Sequence, residues 1–210
     1  MKRRTAFFLA AWFLAVAPCF AATPGGPATH RNVHRRAEAT GPASKLVDVS
    51  IATSLGTFVV RLDVARAPIT TANFLRYVDA KAYDDTEFYR TVAKKNEPTA
   101  PFEVIQGGLD PKAGNTNPSI KLEPTSVTHL SNTDGAIAMA RTNDPNSATT
   151  EFFVDLGDAR YLDSGGPLGP GYAVFGHVVR GMAVVRKIHV APAQGETLLP
   201  PVRIITMRRM

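Results

Sequence analysis

The sequence predicts a mainly β domain: a closed eight-stranded antiparallel barrel with two helices covering its ends. Three observations carry this. About eight short runs are strand-like in their alternation or their Val, Ile and Phe content. Only two segments space apolar residues at helical intervals, and Gly, Asn, Asp and Pro break most of the stretches between. Closing such a sheet on itself removes its unpaired edges, with helices stoppering the ends. Periodicity alone is met nearly as well by an α+β sandwich.

In chain order, residues 1–21 come first and show the three parts of a secretory signal. Lys2, Arg3 and Arg4 lead an apolar stretch over residues 6–17, and small residues follow. The stretch is shorter than the roughly 20 apolar residues of a permanent span. Cleavage is expected after Ala21, with Ala22 as the near alternative. Residues 22–44 are rich in Ala, Thr, Pro and Gly with almost no large apolar side chain. Burial there cannot offset the entropy of ordering, so a flexible leader is expected. His30 and His34 within it make an incomplete metal pair.

Residues 45–210 read as one domain without internal repeats. Val47, Val49 and Ile51 alternate with Asp48 and Ser50, as in a half-buried strand. Residues 54–57 then turn the chain, with Gly56 free to take positive φ, and residues 58–62 run back. Pro68, with Thr70 or Thr71 as cap, opens a helix whose Phe74, Leu75 and Val78 form one stripe. Strands follow over residues 87–92, 102–106, 136–140, 152–156, 172–178 and 202–207. A second helix is expected over Met182–His189, with Met182, Val185 and Ile188 inward.

Composition narrows the function. The formal net charge is +6, and loss of Lys2, Arg3 and Arg4 with the signal leaves +3, an ordinary surface that suggests no nucleic-acid partner. Cys19, the only cysteine, leaves with the signal, which removes thiol catalysis and thiolate metal sites. No later apolar stretch calls for stable membrane insertion after cleavage. There is no G-x-G-x-x-G after a strand, no P-loop, no H-E-x-x-H and no G-x-S-x-G. His129, His177 and His189 are unrelated by spacing. Asp84, Asp85, Asp134, Asp144, Asp155, Asp158 and Asp163 mostly adjoin Gly, Asn, Ser or Pro, where turns recruit them.

What remains is a set of blocks in a fixed order. They are Phe88-Tyr89-Arg90, Ile105-Gln106-Gly107-Gly108, the stretch 135–141, Asn146 through Phe152-Phe153-Val154, Tyr161-Leu162-Asp163, and residues 172–176 with Gly181-Met182 after them. Together they resemble the cyclophilin-type peptidyl-prolyl cis/trans isomerases, the bacterial periplasmic kind, from about Lys45 onward. The resemblance implies a barrel of the cyclophilin type, rotation of X-Pro peptide bonds, and no cofactor. It implies proline-containing segments of unfolded or folding exported proteins as partners, and a soluble periplasmic location. Arg90 falls on the catalytic arginine, and Gln106 on the glutamine that orients it and touches the peptide. Val104, Phe153, Leu162 and Tyr172 fall on the pocket for the proline ring. Ala140 and Arg141 fall on the backbone edge along which substrate lies, Met139 before them counts among the substrate-binding positions, and Tyr161 takes a place where some members carry tryptophan.

The chemistry suits these residues without the family. Rotation about the amide C–N bond faces about 18–20 kcal/mol of resonance barrier and breaks no bond, so neither nucleophile nor metal is called for. A guanidinium donating to the prolyl nitrogen as its lone pair localises, beside an apolar wall, meets the need. Several positions depart from the family's pattern. Glu103 stands where an aromatic is usual, with Phe102 one residue earlier. The favoured expectation is a one-residue bulge that restores Phe102 to the pocket and turns Glu103 to solvent; in the alternative the carboxylate faces the groove and pairs with Arg90, Lys94 or Lys95. The loop over residues 91–101 is longer and more polar than usual, and Tyr89, Glu151 and Arg141 replace histidine, glutamine and asparagine. Two rivals to the enzyme stand: a proline-peptide-binding chaperone module with weak or no turnover, and a structural envelope protein.

Overall fold

The first strand, β1 (Leu46–Thr53), and the second, β2 (Gly56–Asp63), form the expected hairpin, with Val49 opposite Val60 and Ile51 opposite Phe58. The computed structural model describes residues 45–109 and 117–210. The expected signal (1–21) and leader (22–44), with Cys19, His30 and His34, lie outside the described residues. Gly56 follows the two-residue turn at φ +129°, a conformation that glycine takes without strain.

The helix α1 (Pro68–Asp79) comes next, with Phe74 and Val78 buried as the apolar stripe requires. Its cap differs from expectation. Thr70 and Thr71 lie inside the helix, and no side chain caps it locally. The Glu123 carboxylate accepts from Ile69 N (3.0 Å), Thr70 N (2.8 Å) and the Thr70 hydroxyl (2.7 Å) instead. The first two are amide hydrogens that a helix start leaves without intrahelical partners, and an anion is favoured there.

The remaining elements are β3 (Thr86–Val92), β4 (Glu103–Gly108), a single turn α2 (Thr125–Thr128), β5 (Ala136–Met139), β6 (Phe152–Leu156), β7 (Val174–Arg180), α3 (Met182–His189), β8 (Ala193–Gln194) and β9 (Thr197–Arg209). The pairing order is β1-β2-β7-β5-β6-β4-β3-β9, and β9 pairs back onto β1, so eight strands close a barrel with every neighbour antiparallel. The two-residue β8 pairs only with the start of β9. This is the expected architecture, and it decides between barrel and sandwich.

Alternation sorts side chains to the two faces of the wall. Ile51, Phe58, Phe88, Ile105, Ile137, Met139 and Phe152 point into one large core that α1 and α3 close. Phe74 of α1 meets Phe152 edge-on at 5.5 Å and Phe175 at 5.2 Å. Val185 and Ile188 of α3 are fully buried, with Met182 half-buried beside them. The outward residues Val104, Ala138, Phe153 and Val174 form a second, smaller cluster with Leu162 and Ala159. One expectation fails here: Met139, expected at the groove, is an interior residue opposite Phe152. Asp155 sits within β6, as the strand expected over residues 152–156 requires, but at 0% exposure.

Candidate active site

Arg90 owes its placement to an irregularity in β3. Phe88 pairs with Gly107 and Arg90 with Gln106, so Tyr89 is an extra residue bulged out of register. Phe88 can then point into the core while Tyr89 and Arg90 both reach the outer face at Gln106. Gly107 makes room for the strand crossing, since a Cβ there would lie 2.6 Å from the Glu87 carbonyl oxygen.

The polar side of the site is a chain of hydrogen bonds. Arg90 donates from Nε to Glu196 Oε2 and from Nη1 to Gln106 Oε1, each at 2.7 Å. Gln106 Nε2 donates to the Tyr89 hydroxyl at 2.8 Å, and that hydroxyl donates to Glu151 Oε2. Burial, then the bond to Glu151, pushes the Tyr89 phenol far up, so it stays a donor at any ordinary pH. With the hydroxyl's proton committed to Glu151, it accepts from Gln106, and the glutamine amide is fixed with its oxygen toward Arg90. Of the five N–H donors of a guanidinium, two are engaged, and neither Nη2 hydrogen has a partner among the described residues.

The apolar side is a cavity of about 220 Å³. Phe102, Val104, Phe153 and Leu162 wall it, while Arg90, Gln106, Arg141 and Tyr172 form its polar and aromatic edge with Ala140. Phe153 meets Tyr172 edge-on at 5.4 Å, and the Arg141 guanidinium lies 4.6 Å above the Tyr172 ring. Arg141 also donates to the Gly171 carbonyl at 2.9 Å, which holds it to the rim. Such a site offers an apolar hole for a small ring beside an oriented cation. Among the described residues, no group of three or more His, Cys, Asp or Glu side chains is placed to hold a metal ion.

Eight of the ten residues singled out from sequence come together here: Arg90, Gln106, Val104, Ala140, Arg141, Phe153, Leu162 and Tyr172. Tyr161 does not line the cavity; its ring stacks on Phe102 at 6.1 Å and backs that wall. Met139 is excluded by its inward register. The Phe102 question resolves with the aromatic in the pocket, but not through the expected bulge. β4 pairs regularly with β6 from Glu103 onward, and the bulge is across the sheet in β3. Plain alternation puts residues 102, 104 and 106 on one face and leaves Glu103 on the other. Its carboxylate accepts from Lys94 N at 2.7 Å and does not pair with Arg90. Glu196 had no signal in the sequence: it follows Gly195 in an ordinary turn, and only the fold brings it to Arg90.

Residues 46–209 match the family described as cyclophilin type peptidyl-prolyl cis-trans isomerase/CLD. Peptidyl-prolyl cis-trans isomerase A of Dickeya dadantii is 39% identical over 149 residues, covering 70% of this chain and 73% of that protein. Peptidyl-prolyl cis-trans isomerase B of Escherichia coli is 38% identical over 144 residues, covering 67% and 82%. In fold, the chain is similar to the crystal structure of a Cryptosporidium parvum cyclophilin type peptidyl-prolyl cis-trans isomerase in the presence of the dipeptide Ala-Pro. The TM-score is 0.64 at 20% identity, covering 78% of this chain and 98% of that one.

Proposed function

The chain belongs to the cyclophilin-type peptidyl-prolyl cis-trans isomerases, and from that premise we propose that Arg90 is its catalytic donor and that its substrates are X-Pro bonds of exported proteins still folding. The observation that carries the catalytic part is the guanidinium fixed between Glu196 and Gln106 at the edge of an apolar cavity. In the planar amide the prolyl nitrogen shares its lone pair with the carbonyl. As the bond twists, the pair localises on nitrogen and becomes an acceptor. An N–H of Arg90 beside the ring pocket donates to it then and finds little to bond in the planar ground state. That is the differential stabilisation catalysis needs. The apolar wall excludes water that competes for the same donor.

Arg90→Ala is expected to lower kcat/KM on a proline-containing peptide by about 10²- to 10³-fold, on the order of 3–4 kcal/mol for one preorganised donor. Folding should be nearly unaffected, since the side chain is one-third exposed at 34%. A folded Arg90→Ala protein with normal turnover contradicts the role.

The export part of the proposal rests on the basic, apolar and small-residue order of residues 1–21. Among the described residues, no helix is long and apolar enough to cross a membrane. Uncatalysed X-Pro isomerisation takes tens to hundreds of seconds and limits folding, so an isomerase has work wherever chains fold after export. The mass of the native protein should lack residues 1–21 and the protein should fractionate with the periplasm. An intact N terminus in the cytoplasmic fraction sinks this part.

A further inference from the structure

We infer that Glu196, on the turn between β8 and β9, is a positioning residue for isomerisation: it grips Arg90 at Nε and leaves the Nη donors to Gln106 and the cavity. The inference rests on the reading of Arg90 as catalytic donor. An arginine side chain has four rotatable bonds, and a single anchor at Nη1 on Gln106 leaves the guanidinium plane free to swing about that point. A second anchor on a different nitrogen removes the swing, because the guanidinium is a rigid planar fork. Glu196 supplies that anchor, 2.7 Å from Nε, on a carboxylate that also complements the charge.

The turn that carries Glu196 is itself held. Thr91, the residue after Arg90, donates its N–H to the Glu196 carbonyl at 2.8 Å, so strand and turn are tied beside the ion pair. Asn96 reaches across from the long polar loop and donates from Nδ2 to the Gly195 carbonyl, and to the Thr91 carbonyl at 3.2 Å. Lys95 of the same loop donates to the Val190 and Ala191 carbonyls at 2.6 and 3.1 Å, pinning the chain just before β8. The unusual length of the loop thus has a use: it braces the turn from which Glu196 reaches Arg90.

A contrary reading has Glu196 compete with substrate for the guanidinium. The geometry opposes it, since the carboxylate takes Nε and the two hydrogens of Nη2 remain without partners among the described residues. The two readings predict opposite signs when the carboxylate is removed.

The test measures kcat and KM on a chromogenic proline-containing peptide for wild type, E196A, E196Q, R90A and the double variant R90A/E196A. E196A should lower kcat about fivefold with KM within about twofold, the size expected when a partly exposed pair orients a group that acts only in the transition state. E196Q keeps an oxygen to accept from Nε and should recover most of that loss, which a general loss of stability does not do. In the R90A background, E196A should change nothing further. The inference is overturned by wild-type or faster turnover in E196A, by E196Q as slow as E196A, or by an equal further loss in the double variant. Normal turnover in R90A overturns the catalytic reading itself, so the two failures are told apart.

Discussion

Phe102→Ala should open the wall of the cavity beside Arg90, proposed above to take the prolyl ring, because Phe102 is the aromatic that lines it while Glu103 beside it faces the other way. Burying an aromatic of this size is favourable by about 1.5–3 kcal/mol. If a bound prolyl ring completes that burial, its loss lowers kcat/KM by roughly tenfold or more. Glu103→Ala removes only an acceptor for Lys94 N and should leave kcat/KM within about twofold, with a stability cost near 1 kcal/mol. The reverse ranking in the peptide assay, or a gain in rate without Glu103, means that the carboxylate occupies the groove in solution. The same residues mark how far the site was legible. Arg90, Gln106 and Phe153 could be assigned because short blocks in fixed order carry them. Glu103 departs from the family's pattern position by position, yet period-two alternation from Val104 and Gln106 places residue 102 with them. The same alternation turns Met139 inward, since its neighbours Ala138 and Ala140 share the outer cluster and a strand residue between them must face in.

Elements whose cause is local were the legible ones. The β1–β2 hairpin needs only alternation and Gly56 at positive φ, and α1 and α3 need only apolar spacing beside Pro68 or Gly181, so each appears where the pattern places it. Features that depend on distant chain were not. The start of α1 is capped by Glu123, which lies 53 residues from Thr70, and no reading of the segment around Pro68 contains it. The β3 bulge at Tyr89 is likewise invisible in Phe-Tyr-Arg, because a bulge is defined by its partner strand and here by the need to seat Phe88 inward with Arg90 outward. The loop over residues 91–101 read simply as long and polar. Its use as a brace for the turn at Glu196 depends on Asn96 meeting Gly195, 99 residues away.

At the scale of the whole molecule, the choice between barrel and sandwich turned on one pairing, β9 with β1, which joins the two ends of the domain and leaves the main sheet no free edge. Closure also gives every strand a sealed inner face and an outer face, part of it sealed again by the loop around Leu162, and β6 has been left with an acid in this second layer. Asp155 is at 0% exposure, and neither of its carboxyl oxygens has a hydrogen-bond partner among the described residues. Burial first, and then the charges of Asp163 and Asp134, raise its pKa well above the usual carboxylate range, so the group is held neutral where an ordinary aspartate is charged. In the unfolded chain it titrates near 3.9. Below that pH both states keep the proton and folding is not penalised. Above it the unfolded state releases the proton while the folded state retains it; the unfolded state binds fewer protons, and stability falls as pH rises toward the folded pKa. Asp48, Asp84 and Asp158 act with the opposite sign. Hydrogen bonds from Arg61, Arg208 and Arg160 lower their pKa values, that of Asp158 to about 2, so their contribution is present above pH 4 and lost as pH falls. Those pairs are at the surface and screened by solvent, whereas Asp155 is not. Asp155→Asn keeps the shape and the neutral state and cannot ionise. The variant should match wild type in urea unfolding near pH 3.5 and exceed it at pH 7 by about 1.4 kcal/mol for each unit by which folding raises the carboxyl's pKa, because only wild type gains by releasing a proton on unfolding. The gap between the two proteins should widen steadily from pH 4 upward. A variant equally or less stable than wild type at pH 7, with a gap that does not change with pH, shows instead that the carboxyl is ionised and partnered in the folded protein.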